Sequence, residues 1–226
     1  RGIGRGISEA YKNQKMRCPV HLSIGQEFWL PFFGKYFEAG DRCFSSHRSH
    51  SMYMALGCSL SNLIDELYGL STGCLQGKGG SMHLKDLSRG LESSIPIVGS
   101  SIPLAVGSAL SAKHSNLRIK SVAYFGDGAC EEGVLHESLN LASIYKLPIL
   151  FLCENNLYSC NTHVNTRQPS HEMKRFAQSA HIKSFTVNYN SSCLEIDSTL
   201  NECMLLSKLE PIFLEIKSYR LFEHCG

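Results

Sequence analysis

Residues 119–128 read Ile-Lys-Ser-Val-Ala-Tyr-Phe-Gly-Asp-Gly, and residues 148–158 read Pro-Ile-Leu-Phe-Leu-Cys-Glu-Asn-Asn-Leu-Tyr. The first apolar run, Ile119 to Phe125, has strand length and ends at a Gly-Asp-Gly turn. Between the two runs, Glu131 to Tyr145 places Val134, Leu135, Leu139, Leu141, Ala142 and Ile144 at helical spacing. The second run, Pro148 to Cys153, is another strand, with proline at the first position, where a missing N–H is tolerated. Strand, turn, helix and strand make one βαβ unit. Its crossover is right-handed by rule, so the two strands lie parallel and both following loops emerge at the carboxyl edge. Asp127 and Asn156 are therefore expected close in space, although 29 positions apart.

The pattern extends outward. Asn62 to Leu70, Ser100 to Lys113, Met173 to Ala180 and Leu194 to Leu209 read as helices; Ser184 to Val187 and Pro211 to Ile216 read as strands. Alternating strands and helices predict an α/β fold, a parallel sheet with helices on both faces. The chain has 226 residues, of which 43% are hydrophobic and 19% charged. These values exclude disorder, collagen-like repeats and coiled coil, and predict a single domain over residues 1–226, its termini incomplete. Lys plus Arg is 22 and Asp plus Glu is 20, a net charge of +2 with no nucleic-acid footprint. No run reaches the ~20 apolar residues of a membrane span, and the basic N-terminus has no apolar stretch of a secretory signal behind it. The ten cysteines include no C-x-x-C pair, so zinc ribbons and thioredoxin-type centres are not supported. Buried free thiols are expected instead, at Cys153 and Cys203 among others.

A carboxylate and an amide oxygen at neighbouring strand ends form a hard oxygen site. Two such side chains are too few for Mg²⁺ alone but suit Mg²⁺ that keeps phosphate oxygens and water. The glycines around Asp127 let backbone N–H groups approach a phosphate, and a helix N-terminus is expected directly after them. Alone, Gly126-Asp127-Gly128 is a common strand-to-helix turn; Asn155-Asn156 after the next strand gives it meaning. Lys78 lacks the frame of a Walker lysine. His47-Arg48-Ser49-His50 has H-x-x-H spacing without the adjacent Glu and i, i+4 spacing of a zinc-protease helix, so neither motif supports ATP or zinc-protease chemistry.

Gly126-Asp127-Gly128, 26 intervening residues and Asn155-Asn156 resemble the thiamine diphosphate signature. Further motifs follow in order: Val20-His21-Leu22-Ser23-Ile24-Gly25-Gln26-Glu27, His47-Arg48-Ser49-His50, Gly77-Lys78-Gly79-Gly80-Ser81-Met82-His83, Ile97-Val98-Gly99, and Tyr219-Arg220 with His224. Together they resemble the alpha subunit of thiamine-dependent 2-oxo acid dehydrogenases of the pyruvate, branched-chain and acetoin types.

The resemblance implies a thiamine diphosphate-binding fold and oxidative decarboxylation of a pyruvate-like 2-oxo acid, with the acyl group passed to an acceptor such as a lipoyl domain. Alternatives in the same frame are a non-oxidative C–C transferase or lyase subunit, or a non-catalytic scaffold. It implies Mg²⁺ held by Asp127, Asn156 and the Tyr158 carbonyl. His47, Arg48, Val98, Gly126, Gly128 and Ala129 would bind the cofactor, and His21, His50 and His224 would face cofactor and substrate. A beta subunit would supply the pyrimidine-contacting glutamate and covering domain in an α2β2 assembly, and a lipoyl acyltransferase would be a further partner. The setting implied is cytoplasmic, or an organellar matrix after loss of a transit peptide. The chain departs from the family pattern at His47 (commonly Tyr), Pro96 (commonly Gly), Phe28, the stretch from Val187 to Cys193, and Cys225 directly after His224.

Overall fold

The structure, a computed structural model, describes residues 1–16 and 18–225. The helices are α1 (Gly2–Tyr11), α2 (Leu30–Tyr36), α3 (His50–Ala55), α4 (Leu60–Leu67), α5 (Ser101–His114), α6 (Gly133–Tyr145), α7 (Lys174–Ser179) and α8 (Cys193–Leu206). The strands are β1 (Arg42–Ser46), β2 (Leu91–Ile95), β3 (Ser121–Gly126), β4 (Ile149–Asn155), β5 (Tyr158–Ser159), β6 (Thr162–His163), β7 (Lys183–Asn188) and β8 (Ile212–Lys217). Six strands form one sheet in the order β2-β1-β3-β4-β8-β7, and every pairing in it is parallel. β5 and β6 form a small antiparallel hairpin.

The alternation of side chains sorts the core into two layers. From β3 and β4, Val122, Tyr124, Leu150 and Leu152 join Trp29, Phe33, Tyr53 and Leu63 on one face of the sheet. Ala123, Phe125, Phe151 and Cys153 join Ile102, Ala105, Ala109, Leu139 and Phe176 on the other. Both faces of the central strands are thus dry, which explains their unbroken apolar runs. Small residues along α5 (Ala105, Ala109, Ala112) let that helix lie close on β3 and β1. Local chemistry sets several ends. The Ser59 and Ser192 side chains cap α4 and α8 by accepting from the N–H groups of Asn62 and Glu195. Cys153 and Cys203 are buried, as expected, while Cys160, Cys193 and Cys225 are exposed. Among the described residues no helix is long and apolar enough to cross a membrane.

The expected α/β architecture is observed, with two additions and one correction. β1 and β2 complete the sheet, and α1, α2 and α3 cover it, in a region where hydrophobic periodicity gave no clear element. The helix expected from Glu131 starts at Gly133; Asp127–Glu131 is a 3₁₀ turn instead. Glu132 is extended (φ −79°, ψ 133°) and separates turn from helix. The helix N-terminus therefore does not follow Gly128 directly.

Lys120 is fully buried, and its ammonium pairs with the buried carboxylate of Asp41. Asp41 also accepts the Lys120 backbone N–H at 3.2 Å, so this pair pins the entry of β3 to the entry of β1. Removing one partner strands the other charge in the core, at a cost of about 3–5 kcal/mol. Lys120→Met should lower the urea unfolding midpoint accordingly, and Lys120→Met with Asp41→Leu should recover most of that loss.

Candidate active site

Because the six strands are parallel, all their carboxyl ends lie on one edge, and five of them feed one cavity. After β2 come Pro96, Ile97 and Val98; after β1, His47 and Arg48; after β3, Asp127, Gly128 and Ala129; after β4, Asn156 and Tyr158; after β8, Arg220 and His224. His21 reaches the same cavity from the segment before α2. The structure thus brings together eleven of the twelve residues singled out from the sequence, Gly126 among them. His50 is the exception. It is buried behind the cavity, its Nε2 lies 2.8 Å from Ser81 Oγ, and it lines a separate cleft near α1. The altered stretch 187–193 lines no part of the cavity either.

Asp127 is buried, and burial pushes its carboxyl above the usual range against the pull of Arg167. Arg167 Nη2 lies 2.6 Å from Asp127 Oδ2, and the same guanidinium reaches Glu131. Asn156 donates from Nδ2 to Gln26 Oε1 at 2.6 Å, and its Oδ1 accepts the N–H of Tyr158 at 3.0 Å. Asn155 Oδ1 likewise accepts the Leu157 N–H at 3.1 Å. These two consecutive Asx turns hold Leu157 at φ +71°, an uncommon conformation for a branched side chain. The chain then turns back into the hairpin, which sets Tyr158 and Ser159 against the Gly128 turn.

Gly126 and Gly128 do different work. A Cβ on Gly128 would lie 2.6 Å from Ser159 Oγ, so the hairpin itself requires glycine there. A Cβ on Gly126 would meet nothing closer than the Glu154 carbonyl at 3.9 Å. Packing does not require that glycine; the space it leaves belongs to the cavity.

Arg48 is buried and held by two carbonyls: Nη1 donates to Leu22 O at 2.7 Å and Nη2 to His224 O at 2.9 Å. A guanidinium has five N–H donors, so others remain for an anion. Arg220 donates to Cys160 O at 2.7 Å and lines the cavity. The Gly-rich loop at residues 77–81 wraps a carboxylate rather than a phosphate. Burial opposes the charge of Glu66, but backbone N–H groups of Leu75, Gly77, Gly79 and Gly80 outweigh it and hold the group below its usual range. That nest delivers Ser81 to His50 and to the His21 N–H, and Met82 to the cavity wall.

Several lining residues carried no assigned role from sequence: Glu154, Tyr124, Ser159, Cys160 and Arg220. Arg220 stood inside a quoted motif, and Gln26, which holds Asn156, stood in another. Arg167 gave no signal, because its partner lies 40 positions away.

A family model described as Dehydrogenase E1 component matches residues 3–226. The chain belongs to the dehydrogenase E1 component family. Its relatives in that family include the alpha subunit of acetoin:2,6-dichlorophenolindophenol oxidoreductase from Bacillus subtilis, 40% identical over 158 residues, covering 70% of this chain and 47% of that protein. The pyruvate dehydrogenase E1 component subunit alpha of Rickettsia typhi is 30% identical over 209 residues, covering 90% of this chain and 63% of that protein. The chain thus spans about half to two thirds of the length of these E1 relatives. Transketolase from Campylobacter jejuni shares the fold, with a TM-score of 0.69 at 19% identity over 91% of this chain and 35% of that one. The parallel α/β fold that the motif resemblance implied is the one observed, shared with this transketolase, and the alpha-subunit resemblance agrees with these E1 relatives.

Glu154 is buried beneath the cavity, accepting from Trp29 Nε1 at 3.2 Å and from the Tyr124 hydroxyl. Burial raises its carboxyl to about 7. The fold thus favours the protonated form. The stability this gives is complete below the ordinary carboxyl value and is lost as pH rises through about 7. Glu154→Gln removes the proton exchange. Its melting temperature relative to the wild type should rise between pH 5 and about pH 7 and level off above that; a constant difference across that range would contradict the assignment.

Proposed function

We propose that residues 1–226 form the cofactor-binding domain of an alpha subunit that, with a beta subunit, decarboxylates a pyruvate-like 2-oxo acid oxidatively using thiamine diphosphate and Mg²⁺. The observation that carries this reading is the convergence of Asp127, Asn156, Gly128 and Arg48 on one cavity at the carboxyl ends of neighbouring parallel strands. Donor chemistry fits the group. Asp127 and Asn156 offer hard oxygens for Mg²⁺, with the Tyr158 carbonyl as a third. Gly126 leaves room in the wall, and Gly128 and Ala129 bring backbone close. Arg48 and Arg220 offer positive charge for diphosphate oxygens or a substrate carboxylate.

When bound, thiamine diphosphate supplies the carbon nucleophile and electron sink of the reaction. The chain's own residues bind and orient. The Asx turn at Asn156 and its bond to Gln26 hold the amide in place. Arg167 neutralises Asp127 through Oδ2, and the same carboxylate would hold a metal ion through its remaining lone pairs. His21, His47 and His224 are neutral near pH 7, because burial lowers His21 to about 3, His47 to about 4 and His224 in the same direction. They can therefore accept a proton or donate a hydrogen bond beside an anionic substrate without adding charge.

His50 acts on this reading from behind, through Ser81, rather than by touching substrate. The remaining partners proposed are a lipoyl acyltransferase as acyl acceptor and the 2-oxo acid itself. The proposed setting is cytoplasmic or an organellar matrix; one relative, from Arabidopsis thaliana, is named as chloroplastic.

The test is thermal unfolding of the chain co-purified with its beta subunit. Thiamine diphosphate with Mg²⁺ at one hundred times the dissociation constant should stabilise the folded state by about 2.7 kcal/mol. Asp127→Asn should abolish that shift and 2-oxo acid decarboxylation together, while keeping the unliganded melting temperature within a few degrees. A full shift in Asp127→Asn would refute the site.

A further inference from the structure

The cavity holds a second set of donor atoms whose chemistry does not suit Mg²⁺. His21, His47 and His224 come from three separate segments, and their ligand atoms all lie within 4.8 Å of one another. The ring centroids are 4.8, 4.9 and 5.5 Å apart, and the rings are inclined by 73°, 80° and 55°. Imidazoles tilted in this way do not stack, and their in-plane lone pairs can converge on one point. Cys160 Sγ, on the hairpin turn, lies 3.6 Å from His224 Nε2 but outside the mutually close trio, so it becomes a fourth donor only by a shift of that turn toward the imidazoles. His21 is only 5% exposed, and its Nδ1 has no hydrogen-bond partner among the described residues. A buried unpartnered ring nitrogen is uncommon and costs stability unless something satisfies it.

Three imidazoles and a thiol select a borderline transition ion, whereas Mg²⁺ takes oxygen. We infer that His21, His47 and His224, with Cys160 as fourth ligand, form a binding site for a divalent transition ion of the Zn²⁺ class. This site is distinct in donor chemistry from Asp127 and Asn156. Tetrahedral Zn–N bonds of about 2.0–2.1 Å set the nitrogens roughly 3.4 Å apart, so side-chain rotations of about an ångström complete the geometry. All three imidazoles are already neutral, which is their ligand form. Two charges oppose the ion. Arg48 Nη2 lies 3.4 Å from His224 Nδ1, and Arg220 lines the same cavity. Binding deprotonates Cys160, and the thiolate offsets part of that repulsion. The affinity expected is micromolar rather than that of a closed structural zinc site.

The proposal does not depend on thiamine diphosphate, and its test uses none. The untagged, metal-free full chain is titrated with Co²⁺ and followed by visible and near-ultraviolet absorption. The expected result is one equivalent bound, with tetrahedral d–d bands and a thiolate-to-metal charge-transfer band, displaced by one equivalent of Zn²⁺. His47→Phe should weaken binding at least tenfold. Cys160→Ser should remove the charge-transfer band and keep the d–d bands. Circular dichroism of each variant verifies folding, and His224→Gln serves in place of His47→Phe if that variant does not fold. No stoichiometric Co²⁺ binding, or titrations unchanged in both histidine variants, would overturn the site. Failure of Asp127→Asn to lose cofactor binding would leave it standing, so the two readings fail separately.

Discussion

Most side chains of the candidate site hang from the carboxyl ends of parallel strands, with His21 joining them from the segment before α2, and that constraint organises the molecule. Parallel pairing needs long crossovers, and the crossovers place helices on both faces. The central strands are then buried on both sides and become apolar throughout, leaving chemistry only at their ends. The register Gly126↔Glu154 sets Asp127 and Asn156 just beyond paired positions. With β1 on the other side of β3, His47 and Arg48 arrive at the same edge. Five loops from one edge thus supply a cavity whose donors are distant in sequence.

Charge compensation shapes what those loops can do. Asp127 carries a carboxylate into a buried place, and Arg167 answers it from a loop beyond the hairpin. Arg48 carries a guanidinium inward and is answered by main-chain carbonyls rather than a carboxylate, so its positive charge stays available. Burial, helped by the nearby Arg48 and, at His47 and His224, by Arg220, keeps the three histidines neutral. Glu154 lies below, held close to neutrality by the dry core. The cavity therefore sets a carboxylate paired with Arg167 beside guanidinium groups of Arg48 and Arg220 that face no carboxylate partner among the described residues.

Supporting shells complete the picture. Glu66 gathers four backbone N–H groups of a glycine-rich loop and so fixes Ser81 against His50 and His21. The glycines of that loop serve the protein itself: a Cβ on Gly77 would lie 2.4 Å from the Gly69 backbone. This glycine-rich stretch, which lacks the frame of a phosphate-binding lysine loop, folds around the protein's own carboxylate.

The sequence by itself determined the βαβ unit, the parallel α/β class, and the meeting of Asp127 with Asn156. Apolar runs, turn residues and crossover handedness are local or nearly local properties, and they suffice for these conclusions. It also named most of the cavity lining, because ordered motifs matched a known family. Only the tertiary structure decided the rest. β1 and β2 are short and half exposed, so their strands depend on neighbours. The helix after Asp127 starts late because Glu132 is extended. His50 turned away from the cavity once Ser81 was packed against it. Arg167, Glu154 and the histidine trio with Cys160 were set by long-range burial and charge pairing, which follow from where segments meet in space and leave no periodic trace along the chain.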